Sequence, residues 1–291
     1  MILPTFEPSQ NTDFPWSGGK LRIAGATDVG HVRRVNQDAY GYFCDDEREE
    51  VLMVVADGLG GHRGGEVASR MAIESLESEF RDGDGDNDPR VRLTNAIESA
   101  NQHILTAARK DRTLDGMGTT IVCLLLSQNG PSVIAHVGDS RLYRLRTGTF
   151  SAMTQDHSLV ATLLREGVLS EQEAKDDPRR NQILSALGVR DELEVEVNEA
   201  HPLANDRYLL CSDGLHGLVD DHQIKRLLSA DDESDGWATS LIAAANRAGG
   251  NDNITCLVAS LPKSTLFPAL RAGTSRLVAT TRSLFRKEPS K

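Results

Sequence analysis

The sequence contains no apolar run approaching the ~18 residues that a membrane-crossing helix needs. Its N-terminus lacks a basic segment followed by an apolar stretch, so no signal peptide is expected. Cysteine is scarce: Cys44, Cys123, Cys211 and Cys256 are four in all, and no two form a CxxC pair. Cys123, Cys211 and Cys256 sit inside apolar, strand-like runs and read as buried thiols, which fits a reducing, cytoplasmic setting. Positive charge is short as well. The net charge of -11 argues against nonspecific nucleic-acid binding. What basic charge there is gathers at the end: residues 263–291 hold seven Lys/Arg against one Glu, leaving -17 on the first 262. No internal repeat is visible.

The chain has 291 residues, 39% hydrophobic and 26% charged, enough for one large domain or two small ones with an ordinary core. Residues 1–20 carry three prolines and no apolar period and read as an arm. Strands are expected at 21–27, 40–43 and in the run into Asp57. An amphipathic helix follows at 64–80, with Val67, Ala68, Met71, Ala72, Leu76 and Phe80 on one stripe. The acidic run Asp82 to Pro89 resembles the start of a calcium loop. It fails as one, because Asn87 and Leu93 stand where glycine and glutamate are required. Asp88 and Pro89 then open a helix to about Lys110. Strands are expected at 119–127, 132–137, 141–145, 150–153, 193–197, 207–212 and 254–261. Short helices are expected at 158–166 and 170–175, the second with a Ser170–Glu173 capping box, and longer ones at 220–228 and 235–248. Runs of strands and pairs of helices in separate blocks imply an α+β layering.

Four aspartates stand out in this pattern. Met53 to Ala56 is apolar and ends in Asp57-Gly58. Leu209 to Cys211 leads through Ser212 into Asp213-Gly214. Ile134 to Val137 ends in Gly138-Asp139, and Asp252 lies in Gly250-Asn251-Asp252-Asn253 just before an apolar run. Asp-Gly pairs are also ordinary turn formers. The whole set at strand ends points to one acidic pocket built from distant parts of the chain. Crowded carboxylates cannot all ionise unless a cation balances them, and an all-oxygen donor set suits Mg²⁺ or Mn²⁺.

These residues sit in a longer series: Ala26-Thr27-Asp28-Val29-Gly30 with Arg33 and Asn36-Gln37-Asp38; Ala56 to His62 with Gly65-Glu66; Gly118-Thr119-Thr120; Gly138 to Arg141; Asp156-His157-Ser158; Ala186-Leu187-Gly188; Ser212 to Leu215; and Gly250 to Thr255. In order and spacing the series resembles the bacterial form of the PP2C (PPM) family of metal-dependent serine/threonine protein phosphatases, over about residues 21–261. The resemblance implies a β-sandwich flanked by pairs of antiparallel helices, with a phosphatase domain at 21–262, a flap at about 158–181, and a basic tail at 263–291. It implies hydrolysis of phosphoserine and phosphothreonine on proteins by a hydroxide bridging two Mn²⁺ or Mg²⁺ ions. Asp57 would bridge the ions, the Gly58 carbonyl would reach one of them, and Asp213 and Asp252 would hold the other. Asp28 and Asp38 would hold the ions' waters, and Asp139 with Asp213 a third ion. Arg33 would grip the substrate phosphate, and His62 would protonate the leaving oxygen or position the substrate. His157 reads as supporting the fold, and Thr119 and Thr120 as lying near the site or packing a strand.

The implied partners are phosphorylated proteins, a cognate bacterial Ser/Thr kinase and its substrates, met by a monomer. Other readings are a phosphatase acting on an anti-sigma pathway partner and a phospho-dependent binding module with little turnover. A cysteine-nucleophile phosphatase is excluded, because the positions six after each cysteine are Glu50, Asn129, Gly217 and Pro262 rather than arginine. The tail interleaves basic residues with Leu266, Phe267, Leu270, Leu277, Val278, Leu284 and Phe285. It reads either as a segment docking on a membrane or an acidic partner, or as a disordered tail broken by Pro268 and Gly273.

Overall fold

The run Val51 to Ala56 is apolar at every position, and a strand of that kind has to be covered on both faces. A computed structural model, which describes residues 6–60, 64–82, 88–230 and 236–263, shows how this is done. In chain order the strands are β1 (Phe6–Trp16), β2 (Gly19–Asp28), β3 (Asp38–Asp45), β4 (Glu50–Leu59), β5 (Gly118–Thr119), β6 (Ile121–Ser127), β7 (Ser132–Val137), β8 (Arg141–Arg146), β9 (Thr149–Ala152), β10 (Glu196–Ala200), β11 (Arg207–Cys211) and β12 (Ile254–Ser260). The helices are α1 (Gly64–Asp82), α2 (Pro89–Lys110), α3 (Leu159–Arg165), α4 (Glu171–Asp176), α5 (Asp213–His216), α6 (Asp221–Ser229) and α7 (Gly236–Arg247).

The strands form two antiparallel sheets. One runs β1-β2-β12-β11-β8-β9, the other β10-β7-β6-β4-β3, with β5 added to the end of β4. Alternate side chains of each central strand serve different cores. In β4, Val51, Met53 and Val55 meet Leu257, Leu210 and Ile23 between the sheets. Leu52, Val54 and Ala56 face α1 and α2 and pack with Leu76, Ile97 and Ile104. On the outer face of the other sheet, Cys256, Val258 and Leu209 pack against Leu228, Leu241 and Ala245 of α6 and α7. The result is a four-layer sandwich of helices, sheet, sheet and helices. Each fully buried aliphatic side chain contributes about 1.5–3 kcal/mol, so the inter-sheet and helix–sheet layers together hold the strand ends in place.

Helix starts agree with the sequence signals. Asp88 caps α2 by accepting from Arg90 N–H, with Pro89 in the first turn, and Ser170 and Glu173 form the reciprocal capping box of α4. Some boundaries differ, three of them with a clear physical reason. The segment expected to be an arm supplies β1, paired with β2 from Phe6↔Asp28 to Trp16↔Gly19. It is an edge strand, where missing proline N–H groups are tolerated, and its register shifts between Glu7 and Gln10, around Pro8. The strand expected at 193–197 begins at Glu196 and runs on to Ala200, opposite His136 to Ser132 of β7. Leu193 and Val195 pack against the α1–α2 core before pairing begins, which accounts for the alternation. The run from Thr119 breaks at Thr120, whose N–H leaves the ladder for the Asp57 carbonyl.

Candidate active site

One end of the sandwich gathers the loops that follow β2, β4, β7, β11 and precede β12. Asp38 and Asp57 are directly opposite each other on β3 and β4. β4 does not stop at Asp57; Gly58 and Leu59 pair with Thr119 and Gly118 of β5. Thr119 Oγ1 donates to the Asp57 carbonyl at 2.9 Å, Thr120 N–H donates to it at 2.8 Å, and Asp57 N–H donates back to Thr120 Oγ1 at 3.1 Å. The two threonines therefore clamp the backbone of Asp57. Gly58 sits where a side chain cannot: a Cβ there would collide with the Gly65 carbonyl at the start of α1. Its N–H donates to the Gln37 carbonyl at 3.1 Å.

Asp213 begins α5, a one-turn helix that the apolar periodicity did not signal. A Cβ on Gly214 would run into the Asn253 carbonyl, so glycine lets α5 lie directly against the residue that follows Asp252. Asn253 in turn holds the loop from 29 to 37. Its side-chain amide donates to the Val29 and Val35 carbonyls, each at 3.0 Å, and its Oδ1 accepts from Gln37 N–H at 2.8 Å. That loop carries Arg33, whose Nη2 reaches Asp252 Oδ2 at 2.7 Å.

The five carboxylates share one electrostatic site. Burial, then the charges of Asp38, Asp213, Asp139 and Asp252, push the Asp57 carboxyl well above its ordinary range. Burial also pushes Asp38 up to about 7, with Asp213 and Asp252 adding to the rise. Asp139 rises to about 7 through burial and then Asp213. Asp213 rises to about 6 through burial and then Asp252. Two buried oxygens, Asp38 Oδ1 and Asp139 Oδ1, have no hydrogen-bond partner among the described residues. Unpartnered carboxylate oxygens crowded with like charge, and with no sulfur or imidazole among them, fit a hard divalent cation.

Asp28 lies at the margin of this cluster, and its Oδ1 accepts from Gly30 N–H at 2.8 Å and from Asn246 Nδ2 at 3.1 Å. His62, the tail from 264, and residues 83–87 of the acidic loop lie outside the described residues. The motif series contained Ser212 without giving it a role, and it did not reach His216. Ser212 O–H donates to Asp38 Oδ2 at 2.7 Å, while its oxygen accepts from Thr255 N–H at 3.0 Å. His216, held neutral by burial with its pKa pushed down to about 3, donates from Nε2 to the Asp139 carbonyl at 3.0 Å. The helical register of α5 was the only cue to His216, and four residues are too few to show one.

His157 braces the same corner. Its Nδ1 accepts from Gly138 N–H at 3.3 Å, and its backbone N–H donates to the Gly138 carbonyl at 2.9 Å. Its Nε2 faces Glu196 Oε2 at 3.4 Å, and the ring stacks on buried His136. The three side chains are near enough for a cation, but the hydrogen bonds commit both facing nitrogens as donors. His157 Nδ1 accepts, so Nε2 carries the proton, and His136 Nε2 donates to the Gln155 carbonyl at 2.8 Å.

A two-sheet antiparallel sandwich walled by helix pairs, with a carboxylate cluster at one end of the strands, defines the class of metal-dependent phosphohydrolases built on this fold. The Protein phosphatase 2C family profile matches residues 30–257. The serine/threonine phosphatase stp of Listeria monocytogenes is 38% identical over 235 residues, covering 80% of this chain and 92% of that protein. The crystal structure of the Mycobacterium tuberculosis serine/threonine phosphatase PstP superposes with a TM-score of 0.74 at 38% identity, covering 83% of this chain and 99% of the other. A structure of the PstP catalytic domain in complex with two manganese ions gives a TM-score of 0.72 at 36% identity, covering 84% and 99%. The chain belongs to the PP2C family. It is a serine/threonine protein phosphatase of the bacterial PP2C type, and the family is metal-dependent.

Proposed function

We propose that the protein removes phosphate from phosphoserine and phosphothreonine in the products of a bacterial Ser/Thr kinase, with two Mn²⁺ or Mg²⁺ ions at the carboxylate cluster. The observation that carries this reading is the meeting of Asp38, Asp57, Asp139, Asp213 and Asp252 in one half-buried site. Asp57 and the Gly58 carbonyl, with Asp213 and Asp252, would hold the two ions; Asp139 with Asp213 would hold a third. Bound there, the ions supply charge to offset the phosphoryl oxygens and lower the pKa of the attacking water.

The chain's own residues do the rest. Asp38 holds and orients water at the pocket floor, kept in place by the Ser212 hydroxyl. Asp28 would do so from the margin. The clamped backbone at Asp57 fixes its carboxylate with little freedom to lose. Arg33 stands half-exposed at the mouth, where a planar guanidinium can take a phosphate through two N–H groups. His62 is assigned the proton delivered to the leaving oxygen, a task suited to an imidazole. Residues 158–181, which include α3 and α4, form a flap beside Asp139, since Ser158 follows the His157 brace.

A reducing, cytoplasmic setting fits four cysteines that are free thiols. Among the described residues no helix is long and apolar enough to cross a membrane. No observation favours a binding module or an anti-sigma pathway role over kinase opposition. The test is phosphate release from phosphoserine and phosphothreonine peptides before and after EDTA, with Mn²⁺ or Mg²⁺ returned. Release should stop with EDTA and recover with either ion; equal turnover after thorough removal of metal rules the reading out.

A further inference from the structure

Arg33 and Asp252 are joined by a contact that sets two functions of the site against each other. Asp252 Oδ1 already accepts from Asn253 N–H at 2.9 Å, so Oδ2 is the oxygen that faces the pocket mouth. Arg33 Nη2 takes that oxygen at 2.7 Å. A cation coordinated through Oδ2 would be set against the guanidinium that already lies on that oxygen, and a substrate phosphate draws on the same side chain. The loop carrying Arg33 does not have to move for the choice to be made. Asn253 pins it at Val29, Val35 and Gln37, and His31 N–H donates to the Gly250 carbonyl at 2.7 Å. Only the half-exposed arginine side chain need swing.

We propose that Arg33 competes with the divalent cation for Asp252 Oδ2, so that cation loading releases Arg33 to grip phosphate. The inference rests on the metal-dependent reading of the site proposed above. The arginine acts as an internal counter-ion for the carboxylate cluster and yields that place when the cation arrives. Capture of phosphate is then conditional on a loaded centre. Linkage makes the effect reciprocal: whatever draws Arg33 away from Asp252 tightens cation binding.

The test is calorimetric titration of Mn²⁺ into the full chain after EDTA treatment and dialysis, for wild type, Arg33→Ala and Arg34→Ala. Arg33→Ala should bind Mn²⁺ about two- to five-fold more tightly, the scale of a partly exposed ion pair. The gain should shrink in high salt. Arg34→Ala removes the same charge one residue away, outside the contact, and should leave affinity unchanged. Unchanged or weaker binding by Arg33→Ala overturns the proposal, as does an equal gain in both variants, which would mean a general field effect. If Arg33→Ala does not fold, Arg33→Met keeps the stem and repeats the test. Wild type that binds Mn²⁺ and hydrolyses phosphopeptides while Arg33→Ala shows no gain sinks this inference alone. Wild type that binds no Mn²⁺ sinks the metal reading with it.

Discussion

Asp57 is held where like charges crowd: its backbone is bonded three times to Thr119 and Thr120, and its carboxylate lies among four others. Asp57→Asn keeps the shape and removes the charge. Turnover on phosphopeptides should fall by about 10³-fold or more, the scale of several kcal/mol of lost transition-state stabilisation. The EDTA-treated variant should melt above wild type, since one like charge has left the cluster. A variant that melts lower, or keeps most of wild-type kcat, would remove Asp57 from the centre. Ser212 is a different kind of residue. Its hydroxyl bridges Asp38 and Thr255 N–H, so Ser212→Ala leaves a buried donor unmet and should destabilise the fold by about 1–3 kcal/mol in urea. The two also differ in what the sequence discloses. Asp57, Asp139 and Asp213 stood out because an apolar run ended at or near each of them, and Asp252 because one began just after it. Ser212 and Asn253 lay inside the motif series but His216 did not, and the role of all three was hidden, because each acts through bonds to partners set by tertiary packing.

The elements were legible where burial dictates composition. The central strands are apolar on both faces because helices cover one and the other sheet covers the second. Helices α1 and α2 were marked by their stripes, and α2 by its cap. Two elements were not: β1 is held by backbone pairing rather than by a run of apolar residues, and α5 is a single turn. Yet α5 decides whether Asp213 and Asp252 meet. Gly214 allows it to rest on the Asn253 backbone. Gly214→Ala forces backbone apart rather than a pliable side chain, so the expected loss is about 1–3 kcal/mol or more. Mn²⁺ affinity should fall with it, because the two strand ends separate. Chemical denaturation and calorimetric titration read the two effects separately. Full stability with full Mn²⁺ affinity would show that α5 can shift without disturbing the site.

For the whole molecule, the cluster sets how stability varies with pH. Asp38 and Asp139 titrate at about 7 and Asp213 at about 6 in the fold, against 3.8 when exposed, and Asp57 is raised as well. Between these limits the native chain binds more protons than the unfolded chain, so the groups subtract stability as pH rises from about 4 to about 7. Two buried histidines oppose this. His216, at about 3 in the fold, and His136, also lowered by burial, are protonated more readily when unfolded, so they add stability as pH rises toward 6.5. Four aspartates outnumber two histidines, and above 6.5 the histidines no longer contribute. Each net proton changes stability by about 1.4 kcal/mol per pH unit. In EDTA the melting temperature should therefore fall as pH rises from 5 to 7.5, at about 2–4 °C per kcal/mol. Mn²⁺ binds the ionised carboxylates and releases their protons, so its stabilising effect should grow over the same interval. Thermal melts across this series, with EDTA and with Mn²⁺, read both trends. A melting temperature that climbs with pH in EDTA, or a Mn²⁺ shift that is flat across it, would mean that the carboxylates are already balanced by protein groups and do not need a cation.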